Sequence, residues 1–308
     1  MKRVFVLLGV VVALISCGKK EDQSQGLVEN QYAQILEGVE ELNFQFGCLE
    51  PSTRGNAGRD GVKAAADIAG GIIGTQFGAE IGAAIGSAVG NVPGAFVGYL
   101  GGRKYGGMVG VAVGSYIAGV VFDWIHGGSA TTGTGTGVGY ADPIEWTDGV
   151  IHNEILARLL LANPLSPVTR SSEGGINISQ LFDNAISIAQ ELVDDPIEID
   201  PNLRSVMEEY CKSVESVMLE VDSADADFDT ILNRILEKQG VSVNETLLSV
   251  YNNLFSSRVL GDASLNDYEA SFLKMIEDSN LPEKDKTVLS STGSITIRSG
   301  NFWYKSQE

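Results

Sequence analysis

Two histidines are the first candidates for chemistry, because imidazole is the commonest general acid or base near neutral pH. His152 follows Asp148 by four residues on a predicted helix, so the two side chains share one face and could form an acid–base pair. His126 stands apart, and no serine or cysteine motif accompanies either ring. We therefore interpret His152 as a structural residue, assign no catalytic residue and predict that the chain is not an enzyme.

An acidic run near residue 225 is the second candidate. Asp225, Asp227 and Asp229 have the spacing of the first three ligands of a calcium-binding loop. The glycine required at position six is Thr230, and the glutamate required at position twelve is Leu236, which excludes an EF-hand. Helix capping is the favoured role of this run, and a looser calcium site is the alternative. We predict no metal site and no cofactor.

The first residues have the pattern of an export signal. Lys2 and Arg3 precede an apolar run that is too short to span a membrane. The run ends in Leu-Ile-Ser-Cys at residues 14–17, which resembles a bacterial lipobox. This resemblance implies that residues 1–16 are a signal peptide and that Cys17 becomes the lipidated N-terminus, with palmitate among its acyl chains.

The residues after Cys17 bear on its destination. Gly18 occupies the position where aspartate is associated with retention at the inner membrane, so the resemblance implies the outer membrane of a bacterial envelope. Residues 17–26 are polar and are predicted to form a tether. With Cys17 acylated, Cys48 and Cys211 remain, and an exported compartment permits a disulfide between them. The sequence leaves a bridge and two free thiols both open.

The central part of the chain carries a regular glycine repeat, around which we expect the other segments to pack. From residue 70 a glycine recurs at every fourth position, a series that we call the glycine ladder. Its members are Gly70, Gly74, Gly78, Gly82, Gly86, Gly90, Gly94, Gly98, Gly102, Gly106, Gly110 and Gly114. On a helix, a four-residue step drifts by only about 40°, so these glycines form a slowly winding groove. Such a groove allows a second helix to approach closely.

Energetics require a partner for this groove. Each interior glycine costs about 1 kcal/mol relative to alanine, so twelve cost about 12 kcal/mol, more than the stability of many domains. Either a bilayer or tight packing between helices must offset that cost.

Asn91 and Pro93 interrupt the ladder near its middle, which predicts a helical hairpin of residues 62–90 and 94–124. Each ladder half spans about 31 Å, close to the thickness of a bilayer core of about 30 Å. Glu80 and Lys104 lie away from the groove and oppose a lipid-facing position. Burial in a membrane and packing against protein therefore both remain open.

Amphipathic and acidic segments flank the predicted zipper hairpin, residues 62–126. Residues 27–61 are predicted to form an amphipathic helix and a loop. Residues 127–145 are rich in glycine and threonine and resemble a linker, since no Lys-Ser or Lys-Thr pair completes a phosphate-binding loop. Residues 146–308 hold most of the acidic excess behind the net charge of −19, which repels phosphate, so we predict no nucleic-acid partner.

The acidic segment is predicted to be an all-helical bundle. Asp200 and Pro201 are typical of a helix start, Gly240 of a helix end, and Ser264 with Asp267 of another start. Residues 294–298 alternate as in a strand, although a short final helix remains open. The predicted fold class is all-α, a glycine-zipper hairpin with an acidic helical bundle.

The lipobox and the ladder together resemble the glycine-zipper lipoproteins of bacterial envelopes, such as the 17-kDa surface-antigen type, over residues 14–17 and 64–121. The resemblance implies a lipid-anchored outer-membrane protein with a structural or interaction role, whose hairpin packs in or against the bilayer. The expected partners are the bilayer and a second copy or another envelope protein, bound through the zipper. A membrane-active antagonist or a pore is the alternative, and an enzyme carried by the bundle is the least favoured hypothesis.

Overall fold

The computed structural model describes residues 30–48, 61–75, 107–121, 147–162, 176–192, 197, 199–220 and 228–305. Within these ranges the regular structure is helical and no β-strand occurs. The prediction of an all-α fold is confirmed for this part of the chain.

Ten α-helices make up the described residues. The first three are α1 (residues 30–46), α2 (residues 61–75) and α3 (residues 107–121). The remaining seven are α4 (Asp148–Ala162), α5 (Ile178–Leu192), α6 (Pro201–Glu220), α7 (Phe228–Lys238), α8 (Glu245–Leu254), α9 (Asp262–Asp278) and α10 (Glu283–Lys305). A 3₁₀ turn, Phe255–Val259, extends α8 toward α9.

Helices α2 and α3 occupy the centre. Every residue from 61 to 74 and from 107 to 119 is buried. Small or apolar residues cover most of both helices, so neither has a broad face that benefits from water. The hydrophobic core runs without interruption from these two helices into the inward faces of α1 and of α4 to α10.

The surrounding helices are mostly amphipathic. Helix α1 buries Tyr32, Ile35, Val39 and Leu42 at the three- and four-residue spacing expected from the sequence, and leaves its glutamates exposed. This arrangement places acidic side chains on the outside and the glycine-bearing helices inside.

Several predicted helix ends are confirmed. The Asp200 side chain accepts hydrogen bonds from the backbone N–H groups of Asn202 and Leu203, at 2.8 and 3.3 Å, and so caps α6. Gly240 ends α7 with a φ of +65°, and the N–H of Val241 reaches back to the carbonyl of Leu236 at 3.0 Å. This Schellman arrangement needs a left-handed residue, which glycine supplies without strain.

One prediction about the C-terminal region is wrong, and one open alternative is decided. Helix α9 begins at Asp262 rather than at Ser264, and Gly261 precedes it in an extended conformation. Of the two alternatives for the tail, the helix forms and the strand does not, because residues 294–298 lie within the 23-residue helix α10. Alternation misleads here because Thr296 and Arg298 are buried as fully as Ile295 and Ile297, so the pattern does not separate a wet face from a dry one.

Candidate functional site

The candidate site is the pair of ladder helices and what packs on them. Four of the predicted zipper residues, Gly70, Gly74, Gly110 and Gly114, lie in the described parts of α2 and α3. Outside the described residues lie Cys17, the ladder glycines from Gly78 to Gly106, Glu80, Lys104, the turn at Asn91 to Pro93, the linker 127–145, His126, Asp225 and Asp227.

Helices α2 and α3 approach each other where glycine meets glycine. A Cβ atom placed on Gly74 would lie 3.1 Å from the Cα of Gly107, closer than ordinary van der Waals contact. At the other end of the pair, a Cβ on Gly119 would lie 3.0 Å from the Cε of Lys63. Residue numbers rise along α2 as they fall along α3, so the two helices run antiparallel.

One face of this pair, which we call the glycine face, receives side chains of α6. A Cβ on Gly70 would lie 2.8 Å from the phenol oxygen of Tyr210, and one on Gly114 would meet the same phenol. Met207 fills the corresponding position one turn away, beside Gly74 and Gly110. Absent side chains on α2 and α3 thus make room for two large side chains on α6.

A hydrogen bond fixes Tyr210 in this groove. Its hydroxyl donates to the backbone carbonyl of Ala66 at 2.6 Å. Complete burial raises the pKa of the Tyr210 phenol well above its usual value, because the phenolate would lose its hydration. The phenol therefore stays neutral, and its hydroxyl has the backbone carbonyl of Ala66 as its hydrogen-bond acceptor.

The opposite side of α2, which we call the polar face, is built around Asp67. Its carboxylate is wholly buried and faces α4 and α10. The hydroxyl of Ser299 donates a hydrogen bond to Oδ2, and the indole Nε1 of Trp303 donates to the same oxygen at 3.3 Å. The Nε2 atom of His152 lies 3.3 Å from Oδ1, at ion-pair distance but without the alignment of a hydrogen bond.

Neighbouring side chains complete the polar face. The Nζ atom of Lys63 lies 3.9 Å from the centroid of a Trp303 ring, a cation–π contact in which the ammonium group is almost fully buried. The Nδ1 atom of His152 lies 3.0 Å from the side-chain oxygen of Asn153, whose amide donates to the carbonyl of Arg298 at 2.9 Å.

A buried ion pair lies beside the polar face, between α10 and α9. Arg298 donates through Nε to Glu269 of α9 at 2.6 Å, and both side chains are nearly excluded from solvent. Ser294 donates to the other oxygen of Glu269 at 2.5 Å and accepts from the N–H of Gly149 at 2.8 Å. Glycine at position 149 allows this contact, because a Cβ there would collide with the backbone of Ser294.

This geometry does not resemble that of a nucleophilic triad. In such a triad the imidazole contacts the serine hydroxyl, whereas here the carboxylate of Asp67 lies between Ser299 and His152. Asp67, His152 and Ser299 are all fully buried, so a substrate would have to open the core to reach them. The arrangement is suited to holding helices together, in agreement with the interpretation of His152 as a structural residue.

Sequence reasoning found His152 but missed the residues around it. The proposed pairing with Asp148 is wrong, because the two ring nitrogens lie beside Asp67 and Asn153. One signal was present in the sequence: Lys63 and Asp67 are the only charged residues between residues 61 and 75, in a segment otherwise of small and apolar residues. Charges in such a segment indicate partners within the fold.

The two remaining cysteines are separate. Cys48 and Cys211 are free thiols, both buried, so the disulfide alternative is wrong. Burial raises the pKa of each thiol. Cys211 lies beside α3, with its sulfur 3.8 Å from the carbonyl oxygen of Gly110.

Two kinds of feature do not occur among the described residues. They contain no group of three or more His, Cys, Asp or Glu side chains placed to hold a metal ion. Nor does any helix within them combine the length and apolarity needed to cross a membrane.

Comparison of the whole chain with models of known protein families, with curated proteins and with solved structures finds no match in any of the three.

Proposed function

We propose that this chain is a lipid-anchored protein of the bacterial envelope with a structural or interaction role. Acyl chains on Cys17 hold it to the membrane, with the outer membrane as the favoured location, and its helical body stands in water. The bilayer is one partner, and a second copy or another envelope protein is the other. The proposal rests on the lipobox at residues 14–17 and on the glycine ladder.

The observation that carries the interaction role is the protein packing on the glycine face. In the described part of the ladder, α6 covers Gly70, Gly110 and Gly114 with Tyr210 and Met207. These contacts support a ladder that binds helices through bare backbone. They favour protein packing over lipid contact for residues 61–75 and 107–121.

The alternative, a membrane-active or pore-forming protein, draws on the same helices. A helix that is apolar on all sides is typical of a protein interior or of a membrane span. Both hypotheses place lipid on Cys17, so the lipid anchor does not separate them. They differ in whether the ladder itself holds the chain in the bilayer.

Fractionation of a Cys17→Ala variant separates the two hypotheses. We expect the wild-type chain to pellet with membranes and to incorporate a clickable palmitate analogue. Cys17→Ala should lose the label and appear in the soluble fraction, because no acyl chains anchor it. Cys48→Ala is the matched control, since it removes a buried cysteine outside the lipobox and should keep both the label and the membrane association.

Retention of Cys17→Ala in membranes after a carbonate wash would overturn the anchoring proposal and favour an embedded ladder. A deletion of the ladder is unsuitable as a test. It would remove α2 and α3 from the centre of the core and unfold the body whatever the function.

A further inference from the structure

Because the ladder repeats every four residues, α2 could pack in more than one axial register, and the glycine face alone does not select among them. Shifting α2 along its axis by four residues replaces each small residue on that face by another small residue. Ala66, Gly70, Gly74 and Gly78 follow one another at this spacing. Tyr210 would meet Gly74 in place of Gly70, and a groove of the same shape would receive it. Packing of bare backbone therefore discriminates poorly between registers one turn apart.

The polar face carries features that do not repeat. Along α2, Lys63, Asp67 and Gly71 also lie four residues apart, yet they differ completely in chemistry. They face Trp303, Ser299 and Thr292 of α10 in turn, in antiparallel order. Each of these three α2 residues therefore contacts a different α10 residue, and the contacts are not interchangeable.

Displacement by one turn would break these matches. Four residues correspond to about 6 Å along a helix, more than the reach of a hydrogen bond. The Asp67 carboxylate would leave Ser299, Trp303 and His152 and lie uncompensated in the core. A side chain of threonine size already lies close to Gly71, so the space beside α10 does not accept larger groups in that position.

We propose that Asp67 is a positioning residue that selects a single axial register for the ladder helix α2. The glycine face supplies close contact, and the Asp67 carboxylate, with its two donors on α10 and His152 of α4 beside it, decides which of several similar contacts forms. The device explains why a fully buried carboxylate stands in a helix made, apart from Lys63, of small and apolar residues. A buried polar group that fixes helix register has precedent in coiled coils.

Distances between two spin labels test this proposal directly. One label is placed at Thr75→Cys, at the end of the described part of α2, and the other at the exposed Tyr304→Cys near the end of α10. Cys17 and Cys48 are replaced by alanine, and Cys211 remains because its thiol is wholly buried. Since α2 and α10 are antiparallel, an axial shift of α2 changes this distance almost fully.

We expect one distance population with Asp67 present. Asp67→Ala should add a second population displaced by about 6 Å. Asp67→Asn, which keeps one acceptor oxygen, should add a smaller one, and Trp303→Phe, which removes a single donor, the smallest. Ile276→Ala is the control, because it makes a cavity under α9 and leaves the Asp67 contacts intact.

A single unshifted population in the folded Asp67 variants would overturn the proposal. A displaced population in Ile276→Ala would also overturn it, since slippage would then reflect lost stability in general. If Asp67→Ala does not fold, Asp67→Asn and Trp303→Phe decide by the same criterion.

Discussion

The two faces of α2 hold neighbouring helices by opposite means. On the glycine face side chains are missing, and Met207 and Tyr210 of α6 enter the space. On the polar face side chains are present but charged or polar, and each is matched by a specific partner on α4 or α10. The difference shows that closeness and specificity come from separate parts of one helix: the first depends on volume, the second on hydrogen bonds and charge.

The largest effect is expected where a buried charge loses its partner, in the Arg298–Glu269 pair beside the polar face. Arg298→Ala leaves the carboxylate of Glu269 buried and unpaired, which should lower the free energy of unfolding by about 3–5 kcal/mol. Arg158→Ala is the control, because Arg158 pairs with Glu154 and Glu191 at a half-exposed site and should cost less than about 1 kcal/mol. Urea denaturation measures both. Equal losses of unfolding free energy in the two variants would mean that the buried Arg298–Glu269 pair stabilises the fold no more than an exposed ion pair does.

A smaller loss is expected from adding volume to the glycine face. Gly114→Leu places a side chain in the space occupied by the Tyr210 phenol and should destabilise the protein by about 3 kcal/mol. Gly261→Leu is the matched control, because no atom lies within 4 Å of a Cβ there and its φ is −69°. Thermal unfolding followed by circular dichroism distinguishes the two. A Gly114→Leu variant as stable as wild type would show that α6 does not depend on the groove.

The smallest effect concerns the hydrogen bond that Tyr210 donates across the glycine face. Tyr210→Phe removes the bond to the carbonyl of Ala66 and should cost about 1 kcal/mol at pH 8. The pH dependence of the stability difference between wild type and Tyr210→Phe is more informative. Burial raises the pKa of the Tyr210 phenol in the folded state, so the folded protein keeps a proton that the unfolded chain releases near pH 10.

The stabilisation from this proton is complete below pH 10 and declines as the pH rises further. Wild-type protein should therefore lose stability more steeply above pH 10 than Tyr210→Phe does, as measured by urea denaturation at pH 8, 9.5 and 10.5. Parallel curves for the two proteins would contradict the burial of a neutral phenol against the ladder.

Local patterns predicted much of the fold. The α6 start at Asp200, the α7 end at Gly240 and the buried stripe of α1 all follow from neighbouring residues. The antiparallel pairing of α2 with α3 also agrees with the predicted hairpin. The midpoint of the contacting Gly74 and Gly107 falls between residues 90 and 91, beside Asn91 and Pro93, although the turn itself stays a prediction.

The polar face could not be predicted because its members are far apart in the chain. Ser299 is 232 residues from Asp67, and nothing in the spacing of either residue refers to the other. The strand-like alternation in the tail of α10 is misleading for a related reason. Buried serine, threonine and arginine resemble solvent-facing residues until their partners on other helices are known. Nor could the sequence indicate that α6 would cover the glycine face, since Met207 and Tyr210 resemble ordinary core residues.

The central place of α2 and α3 ties the location of the ladder to the integrity of the body. If a bilayer or a partner drew these two helices away, Met207, Tyr210 and the charged group at Asp67 would lose their surroundings together. Extraction would then oppose the packing that keeps the body folded, whose net free energy is on the order of 5–15 kcal/mol for a domain. The described parts of the ladder, α2 and α3, therefore fold together with the body.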